Sequence, residues 1–281
     1  IIMKIKQLLP VFAAIMLATG FNSCKKADNT SSEDIETTFE LSGDQAIADN
    51  LSEDANDMFM QVAVENSVAG NFAPGTETVE NFIPCANVTI TPQTGFPKTI
   101  VIDFGTACTF NGVTRSGKIN IVLTDSVRKP NSQATMTFDN YYVNLYKIEG
   151  QIVWTNTSTP GTRSWTRVTT NGKVTAPNGR YWLHSGTKNV TQTAGVATPT
   201  WIDDVFSITG NYSVTNAAGR TRTGTVLEAL QKKNSCANID KGKLKVEGPN
   251  HYAIIDFGNG DCDNLATISI DGRPPRTIIL R

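Results

Sequence analysis

Thr135-Met-Thr-Phe-Asp-Asn-Tyr-Tyr-Val-Asn-Leu-Tyr146 runs almost directly into Ile148-Glu-Gly-Gln-Ile-Val-Trp-Thr155. Apolar and polar residues alternate through both stretches, and Val, Ile, Thr, Tyr and Trp dominate them. That is the period-2 signature of strands with one buried face. Ser164 to Thr175 repeats the pattern. From Ala86 onward similar runs are separated by the turn signals Asn111-Gly112, Asn171-Gly172, Pro177-Asn178-Gly179, Ala218-Gly219 and Asp271-Gly272. About a dozen strands joined as consecutive hairpins predict one mainly β fold, a curled antiparallel meander closing as an open barrel or sandwich-like sheet. Two segments offset by 60 residues, Ile148-Glu-Gly150 and Ile208-Thr-Gly210, each carry an internal glycine, the mark of a bulge or a close backbone approach.

The outer strands carry a duplicated unit. Cys85-Ala-Asn leads to Ile100-Val-Ile-Asp103-Phe-Gly105 and Cys108; Cys236-Ala-Asn leads to Ala253-Ile-Ile-Asp256-Phe-Gly258 and Cys262. Four cysteines allow three pairings. Two copies of one pattern imply one local connectivity, Cys85 with Cys108 and Cys236 with Cys262. Such bridges belong to an oxidising compartment.

Upstream of the strands, Ala46, Ile47, Leu51, Ala55, Met58, Phe59, Val62 and Ala63 recur at three- and four-residue spacing. The spacing predicts an amphipathic helix over 42–66, capped by Ser42 or Asp44, lying on an open face or edge of the sheet. Residues 24–41, with little apolar content, read as a flexible tether. Residues 42–281 then form a single domain. Charge is divided as sharply as structure. From Ala27 to Pro97 there are 13 acidic residues and no Lys or Arg; from Lys98 to Arg281 there are 21 basic and 13 acidic residues, a net of +8. The overall net charge of −1 argues against nucleic acid as a partner. The basic body could meet acidic glycans or lipid headgroups, or be simply solvated.

The first residues decide location. Met3-Lys-Ile-Lys-Gln, an apolar run from Leu8 to Gly20, and Phe21-Asn-Ser-Cys24-Lys-Lys read as a signal peptide over 1–23. The run is shorter than the roughly 20 residues a membrane span needs. Phe21-Asn-Ser-Cys24 resembles a lipobox, which implies acylation of Cys24 as first mature residue and a membrane partner through that anchor. The place implied is the cell envelope, with the outer membrane as the expected membrane.

No motif demands a catalytic role or a cofactor. Asp256, Asn259, Asp261 and Asp263 form a glycine-rich oxygen cluster that a Ca²⁺ ion could use, although the same residues serve equally as a turn. His184 and His251 each stand alone on predicted strands. Asp203, Asp204 and Glu149 could supply paired carboxylates for glycoside hydrolysis, with a turn role as the simpler reading for the Asp pair. Asp125-Ser126-Val127 resembles a short O-glycosylation motif. Aromatic residues concentrate in the middle of the chain, and Trp154, Trp165, Trp182 and Tyr142 are candidates to line a ligand cavity, the alternative being cross-strand packing.

The lipobox, the acidic segment, the helix and the Asp-Phe-Gly…Cys unit together resemble a group of Bacteroidota lipoproteins of unknown function. The resemblance implies an envelope lipoprotein and supplies no activity. The sequence therefore leads to a non-enzymatic structural or interaction module. Its alternatives are a carrier of an apolar ligand or lipid between helix and sheet, and a surface glycan-binding protein.

Overall fold

In a computed structural model, residues 26–65, 83–92, 94–198 and 201–280 are described, with helix side chains from Ser32 to Ala63. The signal peptide and Cys24 lie outside these residues. One helix, α1 (Lys26–Glu65), precedes fourteen strands. They are β1 (Asn87–Thr91), β2 (Lys98–Asp103), β3 (Cys108–Phe110), β4 (Val113–Leu123), β5 (Gln133–Val143), β6 (Tyr146–Asn156) and β7 (Ser164–Thr175). The rest are β8 (Tyr181–Ala194), β9 (Val205–Asn216), β10 (Thr221–Lys233), β11 (Lys241–Glu247), β12 (Tyr252–Asn259), β13 (Leu265–Ile270) and β14 (Arg276–Ile279). All pair antiparallel in one sheet in chain order, with β3 as a short spur on β4. The sheet is mainly a meander and does not close, because β1 and β14 remain its two edges.

Bulges bend it. Register shifts recur in the long strands, at Ser116/Lys118, Glu149/Gln151 and Thr169/Gly172 among others. Glycine is required where two backbones converge at positive φ. A Cβ on Gly117 would sit 2.0 Å from the Asn140 carbonyl oxygen, and one on Gly150 would sit 2.5 Å from that of Asn171. Gly150 and Gly210, paired in the sequence echo, both fall at register shifts. Asn171-Gly172, expected as a turn, lies instead within β7 as part of such a bulge.

The curled sheet wraps α1, in contrast to the amphipathic helix over 42–66 expected on one open face or edge. The helix begins at Lys26 rather than Ser42, so the stretch read as tether is largely helical. From Leu41 to Ala63 none of its residues is exposed, whichever way they point. An amphipathic helix covering one face would leave a wet stripe; this one is enclosed. Neither proposed cap serves as one, since Ser42 Oγ donates to the Thr38 carbonyl within the helix and Asp44 binds Arg180.

Enclosing so polar a helix requires partners from the sheet. Arg115 Nη2 meets Asp54 at 2.5 Å, Arg167 Nη2 meets Glu53 at 2.6 Å, and Lys188 Nζ meets Asp49 at 2.6 Å. Lys232 Nζ lies 2.9 Å from Asp57, and Arg180 holds both Asp44 and Glu40. Nearer the helix start, Arg222 pairs with Asp34, Arg220 with Glu33 and Arg276 with Glu36. Arg220 and Arg222 also donate to the hydroxyls of Thr37 and Thr38, which accounts for two buried threonines in a segment without apolar periodicity. The helix carboxylates from Glu33 to Asp57 are thus all partnered by cations of the basic half, which leaves less of the positive charge to face outward than the composition suggests.

The two copies of the cysteine unit occupy equivalent places. Disulfides join Cys85 to Cys108 and Cys236 to Cys262. In each copy the Asp carboxylate accepts the backbone N–H of the following Gly, Asp103 from Gly105 and Asp256 from Gly258, both at 2.9 Å. Each also pairs with a lysine on a neighbouring strand, Lys118 and Lys243.

Candidate functional site

A partly open cavity of about 270 Å³ lies beside the C-terminal part of α1, where Met60 contributes to its wall. Three connections build the rest. The β4–β5 turn brings Val127 and Arg128; the end of β6, the β6–β7 loop and the start of β7 bring Trp154, Arg163 and Trp165; the segment from the end of β8 into β9 brings Gln192, Trp201, Asp204 and Phe206. Hydrogen bonds lock these turns together. Asn156 Nδ2 donates to the Val127 carbonyl at 2.6 Å, and its Oδ1 accepts the Ser158 N–H at 2.8 Å. Ser126, in the short motif before Val127, takes part in the same turn and accepts the Lys129 N–H at its carbonyl.

The apolar wall is a stack of rings. The Trp154 and Trp165 rings lie 6.0 Å apart at a tilt, and Phe206 meets Trp165 edge-on at 5.2 Å. Phe59 of α1 backs Trp154 at 6.1 Å. Trp154 is 1% and Trp165 5% exposed, yet the indole N–H of each finds no acceptor among the described residues. Buried indoles usually have one.

The polar part is a charged rim. Gln192 Nε2 donates to Asp204 Oδ1 at 2.7 Å, and its amide oxygen faces Arg163 Nη1 at 3.4 Å, so it links carboxylate to guanidinium. Burial, helped by the neighbouring Asp203, pushes the Asp204 carboxyl up to about 7. Burial and the nearby Arg163 guanidinium bring Arg128 down to about 10, still a cation at neutral pH. A partly desolvated Arg128, the Arg163 guanidinium and a carboxyl poised between charge states therefore face one apolar space.

Of the four predicted lining residues, Trp154 and Trp165 line this cavity. Trp182 and Tyr142 do not. Trp182 is packed against Tyr146 with the Arg180 guanidinium 5.0 Å above its ring, beside the Asp44 end of the ion-pair ladder. Tyr142 sits on β5 opposite Ser116 and Lys147. Arg128, Arg163 and Gln192 carry no sequence signal, because nothing local marks a polar side chain in a turn or at a strand end as facing a cavity. Asp204 was visible only as half of an Asp pair.

The other candidates resolve into structural roles. The Asp256–Asp263 segment does not gather its carboxylates; Asp256 binds Gly258 and Lys243, and Asp263 accepts the Leu265 N–H. Among the described residues the one close group of metal-ligating types is Cys236, Asp240 and Cys262, whose sulfurs are joined in a disulfide. Glu149 lies toward the far end of β6 from Trp154, paired with Lys147 and Lys173, and is not brought to Asp203 and Asp204. His251 bonds Asp271 at 2.6 Å. Burial and Lys188 lower His184 to about 4, which keeps it neutral. His184 borders a second recess of about 20 Å³, room for roughly one water.

No described helix is long and apolar enough to cross a membrane. No protein-family model matches the chain, and no curated protein or solved structure matches it.

Proposed function

We propose that this chain is an envelope lipoprotein, anchored by acylated Cys24, that binds a small apolar ligand without transforming it. The observation that carries the reading is the ring-walled cavity at the end of α1 bounded by Trp154, Trp165, Trp201 and Phe206. Ligand sites are concave, mostly apolar and furnished with a few convergent polar groups. At about 270 Å³ this one is at the small end of that class.

Anchoring and binding fit one geometry. Helical rise sets Met60 about 50 Å from Lys26 along α1, and Cys24 precedes Lys26 by two residues. A lipid at Cys24 then holds the near end of the body at the bilayer while the cavity stands well out from it. The buried, ion-paired helix residues between these ends support a structural role for the rest of the body, as a spacer built around its helix. The exposed aromatics Tyr181, Tyr252 and Phe96 lie on separate elements, each with a lysine over its ring, which favours the cavity over a sugar platform.

The reading is tested with the mature chain carrying Cys24→Ser, by calorimetric titration with naphthalene-2-carboxamide and with 2-naphthoate. One-to-one binding of either probe, abolished by Met60→Trp, is expected. Absence of binding by both would overturn it. The anchor is tested separately: Cys24→Ala should move the protein from the membrane to the soluble fraction, and continued membrane association would contradict acylation at that residue.

A further inference from the structure

We infer that the cavity selects a small aromatic acid, with its rings against Trp165 and Phe206 and its anionic head at the Arg128 and Arg163 guanidiniums. The inference rests on the binding role proposed for this cavity and names the chemistry of its ligand.

Size comes first. A dry apolar cavity of roughly 150 Å³ accommodates benzene, so about 270 Å³ suits one fused ring pair with a compact head group. The walls favour flat rings over a flexible chain, because four of them are aromatic and aromatic rings gain by edge and offset contacts. Charge comes next. Arg128 and Arg163 both line the cavity, and at Arg128 burial, with the Arg163 guanidinium nearby, costs the cation more than Asp204 returns. An anion held at the two guanidiniums offsets that cost and accepts charge-assisted hydrogen bonds. A neutral ligand of the same shape does neither.

Asp204 is the opposing group. It faces Arg163, Arg128, Gln192 and its neighbour Asp203, and its burial leaves it partly protonated near neutrality. Above its pKa it adds a negative charge beside the bound head; below, it becomes a neutral donor. Affinity for the acid should therefore rise as pH falls from 8 to 6, a range in which an aromatic carboxylate itself stays ionised.

The experiment compares 2-naphthoate with its neutral isostere naphthalene-2-carboxamide and with octanoate, an anion without rings, in the mature chain carrying Cys24→Ser. The acid should bind about tenfold or more tightly than the amide, the difference expected of one charge-assisted contact. Arg163→Gln and, independently, Arg128→Gln should each shrink that ratio, and Asp204→Asn should remove the pH dependence. Equal affinity for acid and amide would overturn the charge selection while leaving the binding role intact. Equal affinity for octanoate and naphthoate would overturn the aromatic preference. If no probe binds, the binding role itself fails.

Discussion

Arg115 and Asp54 show how single residues carry this fold. The guanidinium reaches the carboxylate through two nitrogens, Nη2 at 2.5 Å and Nε at 2.8 Å, with the Tyr141 hydroxyl donating to the same carboxylate at 3.3 Å. Both side chains are under 5% exposed. Each member of such a pair offsets the other's desolvation, and removing one leaves an uncompensated buried charge. Glu53 follows the same logic. Burial pushes its carboxyl upward, but Arg167 and Lys188 together outweigh burial, and the group ends below the usual carboxylate range. At Asp44 the balance goes the other way, and burial lifts it to about 6 despite Arg180. Arg115→Met should cost about 3 to 5 kcal/mol in urea unfolding by stranding Asp54, whereas Arg115→Met with Asp54→Leu should cost much less than the two single changes summed. Additive losses would mean the pair is not a desolvated unit.

At the scale of elements, the sheet is held by local devices and the helix by distant ones. The disulfides close spans of 23 and 26 residues, for which chain entropy predicts about 3 to 4 kcal/mol each. Replacing Cys236 and Cys262 by Ser together should lower the unfolding free energy by about that amount. A loss well under 1 kcal/mol would indicate that the β10–β11 turn is held by its hydrogen bonds alone, such as Lys232 Nζ to the Cys236 carbonyl at 2.8 Å. Local devices are what the sequence displays. The Cys-Ala-Asn and Asp-Phe-Gly copies, the alternation of β5 to β7 and the bulge glycines were legible because each acts within a few residues of itself. The first half of α1 was not. Thr37 and Thr38 are satisfied by Arg220 and Arg222, more than 180 positions away, and no periodicity records that dependence. The cavity was half legible for a related reason. Trp154 and Trp165 stand out as rare large residues, while Arg128 and Arg163 become site residues only once three separate turns converge.

The whole molecule turns an uneven charge distribution inward. An acidic helix of 40 residues carries the partners of arginines and lysines spread from β4 to β14, and the meander curls until most of those partners meet. That arrangement explains how a helix with buried Asp44, Asp49, Glu53, Asp54 and Asp57 can be the core of a β protein. It also bears on the proposed function, because the same helix would set the distance from an anchor at Cys24 to the cavity, and it supplies Met60 to the cavity wall. The cavity and the binding role proposed for it depend on α1 being inside the sheet. Amide hydrogen exchange tests that most directly. The account predicts that residues 37–63 exchange only through global unfolding, as slowly as the central strands β6 to β8, and lose that protection in Arg115→Met. Exchange of the helix well ahead of those strands, as for a polar helix resting on a surface, would contradict it.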